Sequence, residues 1–288
     1  MDTPTPDTLE SFRELYELLT DYEGSHCFED VLLPAIPRAV ELLEPLQRYR
    51  HRRSVKEPSD EELWTLFALS VVNDHLLLPL RVSRREYLRF FEALGFEPFE
   101  GGRFSPVRHE IVSVGNWLKA TEGIQLGQRY WPGLLFGELV FSRSAVDVFC
   151  HADFRIRQGI ADRSRLYFTH QRMRRDVEDL SHGWGSNSRW RTSFRLDYEE
   201  REHVIFNAFE RYDLAAPSCL ENETGGRQEL PIEARRELLM HRCFVSYEGP
   251  WDDWLPYRDT LAVRRSDSLW PLDEGQLVRV SDLDTTRE

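Results

Sequence analysis

Val107-Arg108-His109-Glu110-Ile111-Val112-Ser113-Val114 is the stretch at which the chain changes character. Its β-branched residues suit the pleated surface of a strand, and the Gly101-Gly102 pair just ahead of it is a turn. Before Pro98 the pattern is helical. The chain is therefore expected to be α+β, a helical N-terminal block packed on a mainly antiparallel β region, rather than an alternating α/β fold.

The helical reading rests on starts, stops and spacing. Asp7 with Glu10, Ser59 with Glu62 and Ser83 with Glu86 each have the spacing of a capping box. Behind them Phe12, Leu15, Tyr16 and Leu19, then Leu63, Trp64, Phe67, Ser70 and Val71, then Tyr87, Phe90, Phe91 and Leu94 recur at helical intervals. Gly95 is the expected stop of the last one. Pro37 is placed to begin a further helix through Val40 and Leu43 toward Tyr49. The basic run Arg48 to Arg53 reads as a solvated connection, and Cys27 as a small buried residue. Residues 1–98 form a helical subdomain and 99–288 a β-rich α+β domain, or the two make one continuous domain.

Toward the C-terminus, Leu134 to Val140 and Ala145 to Cys150 are apolar runs separated by Ser142-Arg143-Ser144, which predicts a largely buried hairpin. Arg165 to Thr169 is a short strand candidate. Glu199 to Tyr212 fits neither period cleanly, and Ala216 to Arg227 is a loop by composition. Pro231 opens a late helix through Leu238 and Leu239 that ends near His241. Trp251, Trp254 and Trp270 point to a tail docked on the body of the protein.

With 288 residues, 41% of them hydrophobic, the chain can bury a sizeable core. Its first residues lack the pattern of a signal peptide. The greasy run Leu63 to Leu80 is broken by Asn73-Asp74-His75, short of a membrane span. Four scattered cysteines, Cys27, Cys150, Cys219 and Cys243, are expected as reduced thiols. Together these features predict a soluble, cytoplasmic protein.

The net charge of -13 argues against a general nucleic-acid coat and favours either plain solubility or a cationic partner. One window reverses it, because Arg155 to Arg195 holds ten arginines against four acids. The chain has only two lysines, Lys56 and Lys119, a skew that a GC-rich genome would also produce. Within this window lies the most unusual local chemistry, Ser181-His182-Gly183-Trp184-Gly185-Ser186-Asn187-Ser188-Arg189-Trp190-Arg191-Thr192-Ser193-Phe194-Arg195-Leu196-Asp197. Even positions from Trp190 to Tyr198 make an apolar wall. Odd positions carry Arg189, Arg191 and Arg195 on the other face, with Ser193 and Asp197. Guanidinium forks suit phosphate or carboxylate, but a solvated face paired to neighbouring acids is the plain alternative. The loop before them lacks the third glycine and the lysine of a phosphate loop, and does not match the nucleophile elbow. It also reads as a structured turn, in which Trp184 is costly to expose.

Metal and catalytic constellations are weaker. Cys150-His151 with His170 and His182, and the pair His241 and Cys243, lack zinc-ligand spacing. His151 with Asp153, or His182 with Ser186 or Ser188, could do acid/base work, but nothing assembles a nucleophile, a base and an orienting group. No cofactor, metal or catalytic residue is expected. The sequence thus reads as a binding protein, of the immunity or inhibitor type, that engages a basic protein partner. Its expected recognition surface is His182, Trp184, Ser186, Asn187, Ser188, Arg189, Arg191 and Arg195. The alternative is an enzyme or receptor for a phosphate-bearing small molecule or nucleic acid, with the same arginines as anion clamp.

Overall fold

Ser11, rather than Asp7, opens the first helix in the computed structural model, which describes residues 5–77, 82–116, 123–161, 194–216, 230–248 and 258–283. The Ser11 hydroxyl accepts the Glu14 amide at 3.4 Å, and Glu14 Oε2 accepts the Glu10 amide at 2.7 Å, so α1 runs Phe12–Asp21. The expected Asp7–Glu10 box fails because the Thr5 hydroxyl donates to the Asp7 carboxylate at 2.7 Å. Helix α2, Leu33–Leu43, follows a single wide turn at Phe28–Leu32. Pro34 sits in its first turn, where an amide has no partner to lose. Pro37, expected to begin the helix, lies inside it. Helix α3, Asp60–Leu77, starts on the Ser59–Glu62 box, with amide bonds of 3.2 and 3.3 Å. Helix α4, Arg84–Ala93, starts on the Ser83–Glu86 box and ends at Gly95, whose φ of 84° lets the Phe96 amide return to the Phe91 carbonyl at 3.0 Å.

By compactness the chain divides into two units. The first comprises Met1–Pro98, Leu134–Gly137 and Arg175–Phe194, and the second Phe99–Gly133, Glu138–Arg174 and Arg195–Glu288. In the first unit α3 is central: every residue from Ala68 to Leu76 is buried. The one-sided helix expected from its sequence is therefore right only for its first half. Two of the polar residues in that stretch are bonded locally: Tyr87 Oη donates to Asn73 Oδ1 at 2.7 Å, and Ser70 Oγ donates to the Phe67 carbonyl at 2.7 Å. Nor is the Arg48–Arg53 link a solvated strap. Arg52 is buried, and Arg48 Nε donates to Glu62 at 2.9 Å beside the Tyr49 hydroxyl, itself 2.8 Å from Glu62.

Eleven strands lie among the described residues. They are β1 Glu97–Phe99, β2 His109–Asn116, β3 Gln125–Trp131, β4 Gly133–Phe136, β5 Leu139–Ser142, β6 Ser144–Cys150, β7 Tyr198–Glu199, β8 His203–Phe206, β9 Tyr212–Asp213, β10 Asp259–Arg264 and β11 Leu277–Val278. The second unit holds two sheets. One has the order β2-β6-β3, and the other contains β5-β7-β8-β10-β11 with β9 added beside β10. Pairing is antiparallel except for β2 with β6 and β9 with β10. In the three-stranded sheet the Phe149 ring lies over Gly115 on one neighbour and Gly127 on the other. A Cβ at either would come within 2.4 Å of it. The ambiguous segment after Glu199 resolves as strand because β8 is paired on both sides, Ile205 standing opposite Tyr198 and Ala262.

The buried hairpin expected from residues 134–150 does not form between its two apolar runs. β5 ends at Ser142 and β6 begins at Ser144, but they belong to different sheets. Arg143, between them, is completely buried, and the chain changes sheets there. The late helix α5, Ile232–His241, follows Pro231 and stops at Arg242 in left-handed geometry. Behind it Trp270 packs edge-on against His241, with ring centroids 4.4 Å apart, and its indole donates to the Phe154 carbonyl at 2.8 Å. The tail is docked there as its aromatic content implied. Trp251 and Trp254, the Arg165–Thr169 strand candidate and most of the Ala216–Arg227 loop lie outside the described residues. No helix among the described residues is long and apolar enough to cross a membrane. The architecture is α+β.

Candidate functional site

Of the eight residues that the sequence singles out for recognition, His182, Trp184, Ser186, Asn187, Ser188, Arg189 and Arg191 lie outside the described residues. Arg195 is described. Its Nε stands 3.8 Å from Asp197 Oδ1 and its side chain is 21% exposed, so it turns toward an interior carboxylate. The regular strand begins only at Tyr198, and the strict alternation expected before it breaks at Asp197. Leu196 and Tyr198 are buried as the apolar wall requires, but Asp197, assigned to the polar face, is buried as well. Of the other arginines in the basic window, Arg157 pairs with Glu248, and Arg155 closes a short turn with a φ of 57°.

Asp197 is the centre of a buried ionic cluster in the second unit. Its Oδ2 accepts from Arg143 Nη2 at 2.7 Å and Arg242 Nη2 at 2.8 Å, while Oδ1 accepts the Asn207 amide at 2.9 Å. Arg143 Nη1 donates to the Met240 carbonyl at 2.6 Å, in the last turn of α5. Burial alone would raise the Asp197 carboxyl. The charges of Arg242 and Arg143 outweigh it and hold the group well below the usual carboxylate range. Two buried histidines stand near. Phe104 stacks on His109 at 5.9 Å and on His241 at 6.1 Å. Burial lowers His109 to about 4 and His241 to about 3, with the Arg143 charge adding to both, so each is neutral at pH 7. Cys243 is pushed up by burial and by Glu237, which makes it an inert thiol.

With Arg143 and Asp197 fully enclosed, no substrate reaches this cluster, and its geometry is that of a structural clamp. Its one visible sign in the sequence is an arginine between two apolar runs. The one acid/base pair within the described residues is also local. His151 Nδ1 accepts the Asp153 amide at 3.3 Å and caps the turn Ala152–Phe154. No group of three or more His, Cys, Asp or Glu is placed to hold a metal ion among the described residues.

A surface of different character lies on α2 in the first unit. Ala35, Ala39 and Leu43 face the core, and the opposite side leaves Leu33 and Val40 each 39% exposed, with Pro34 and Pro37 exposed beside them. At 100° per residue Leu33, Pro37 and Val40 fall within an arc of about 60°. Acids border this stripe: Glu29 and Asp30 in the preceding turn, and Glu41 and Glu44 along and after the helix, all exposed. Asp30 accepts from the Tyr22 hydroxyl and Glu41 from Arg38, so part of the border is fixed in place. Sequence reasoning passed over this face because it took Val40 and Leu43 together as the apolar positions of one helix, whereas Leu43 is buried and Val40 is exposed. The recurrence of Leu33, Pro37 and Val40 among acids was the available signal. No protein-family model, curated protein or solved structure matches the chain.

Proposed function

We propose that this protein acts by binding another protein, as an immunity or inhibitor protein does, and that the α2 face receives a basic, amphipathic segment of the partner. The observation that carries the reading is the exposed apolar stripe Leu33–Pro37–Val40 set among Glu29, Asp30, Glu41 and Glu44. An apolar centre supplies the burial on which affinity depends, and an acidic border adds steering and selects against acidic competitors. The overall charge of -13 acts in the same direction at longer range. Cys27, Cys150 and Cys243 are free thiols, which fits a reducing compartment such as the cytoplasm. The recognition role first assigned to the arginine face gains nothing from Arg195, which leans on Asp197.

The test begins with a partner captured on the immobilised protein and identified, followed by direct affinity measurement at low and high salt. Leu33→Ser with Val40→Ser should weaken binding at least about tenfold at both salts. Glu29→Gln with Glu44→Gln should weaken it at low salt and flatten the salt dependence. A partner that binds both variants as tightly as the wild type would remove α2 from the interface.

A further inference from the structure

The second unit also contains an open cleft of about 750 Å³, within the size range of small-molecule sites. Its floor is the end of the sheet at His203 of β8, Arg264 of β10 and Leu277 and Val278 of β11. Its walls are Ala215, the turn at Glu274 and the turn from Arg279 to Asp282. Two of these walls are tied to one side chain. Asp213 Oδ1 accepts the Ala215 amide at 2.9 Å and Oδ2 accepts the Val280 amide at 2.8 Å, which holds the cleft open at a fixed width.

Arg236 of α5 is the buried charge in this lining, 5% exposed. Its Nε and Nη2 both donate to the Leu214 carbonyl, at 3.0 and 2.7 Å, which locks the plane of the guanidinium. Nη1 is left to Glu274, 3.3 Å away on a side chain that is 82% exposed. Arg264 and Arg279 line the same cleft, exposed and without an ion pair among the described residues. A fixed fork with two further guanidiniums around it suits a doubly charged phosphate better than a single carboxylate. Glu202, Glu274 and Asp282 share the lining and would repel a bare anion, so the ligand must also bring donors to face them.

We infer that this cleft binds a small hydroxylated phosphate ester, its phosphate on Arg236, Arg264 and Arg279 and its hydroxyls on Glu202 and Asp282. Glu274 occupies Nη1 when no ligand is present and is displaced on binding. The site is separate from the α2 face and does not depend on a protein partner.

Ribose 5-phosphate, inorganic phosphate and ribose are suitable probes, titrated by calorimetry into the full chain. Ribose 5-phosphate should bind most tightly. Arg264→Gln with Arg279→Gln, both at exposed positions, should weaken it at least about tenfold. Glu274→Gln should tighten it about threefold, because a competing surface carboxylate is removed. That gain is not expected of a residue that only supports the fold, and it leaves the buried Arg236 untouched. The inference is overturned if no probe saturates by ~10 mM, if inorganic phosphate or ribose alone matches the ester, or if the substitutions leave affinity unchanged.

Discussion

Lowering the pH from 7 to 5 should remove about 4 kcal/mol from the stability of this protein, through two side chains. His109 and His241 are held neutral in the folded state, at about 4 and about 3, against 6.5 for the free imidazole. The unfolded chain therefore takes up a proton on each of these side chains as the pH falls through 6.5, and the native protein does not. Stability is present in full above 6.5 and lost as the pH falls. At 1.36 kcal/mol per pH unit over one and a half units, each histidine accounts for about 2 kcal/mol. Asp197 and Glu62, whose folded values are depressed, lose their contribution only as carboxylates protonate, below this window. Urea denaturation at pH 7, 6 and 5 measures the slope. His241→Phe isolates half of it: neither ring nitrogen of His241 has a hydrogen-bond partner among the described residues, and the ring packs between Phe104 and Trp270. The variant should fold, and its loss between pH 7 and 5 should fall to about 2 kcal/mol. A wild type whose stability is flat over this range, or a variant that keeps the full slope, would refute the assignment of two neutral interior histidines.

Two substitutions probe the interior bonds of the second unit. Asp197→Asn leaves the guanidiniums of Arg143 and Arg242 facing a neutral amide in a closed interior and should cost about 3–5 kcal/mol, read as a shift of the urea midpoint at constant slope. Glu237 accepts the backbone amides of Val245, Ser246 and Tyr247 and the Ser246 hydroxyl. Glu237→Gln should cost about 2 kcal/mol and speed hydrogen exchange at those three amides. Unchanged exchange there would mean that the carboxylate does not order the segment.

Local signals were legible in the sequence and long-range ones were not. The Ser59–Glu62 and Ser83–Glu86 boxes, the stop at Gly95 and the helix after Pro231 are all decided by contacts within a few residues, and they stand where the sequence puts them. Asp7 with Glu10 has the same spacing but fails, because the nearby Thr5 hydroxyl competes for the carboxylate. The burial of α3 on all sides could not be read from its own periodicity, since the elements that surround it supply that information. The false hairpin has a similar cause. Two apolar runs around a short polar step look alike whether the chain turns back or changes sheets, and only the distant partners Asp197 and Met240 decide. The recognition loop from His182 to Ser188 and the arginines Arg189 and Arg191 after it lie outside the described residues, so the candidate surfaces rest on α2 and on the Arg236 cleft, neither of which the sequence reading chose.

Arg143 is the single residue between β5 and β6, and its guanidinium is bonded both to Asp197 and to the end of α5. Opening either sheet far enough to admit water would strip a buried cation of its partners, a cost borne by the whole unit rather than by one element. The two sheets and the helix are thereby coupled into one cooperative block. Partial unfolding of the second unit should be rare on its native side, and its melting should approach an all-or-none event.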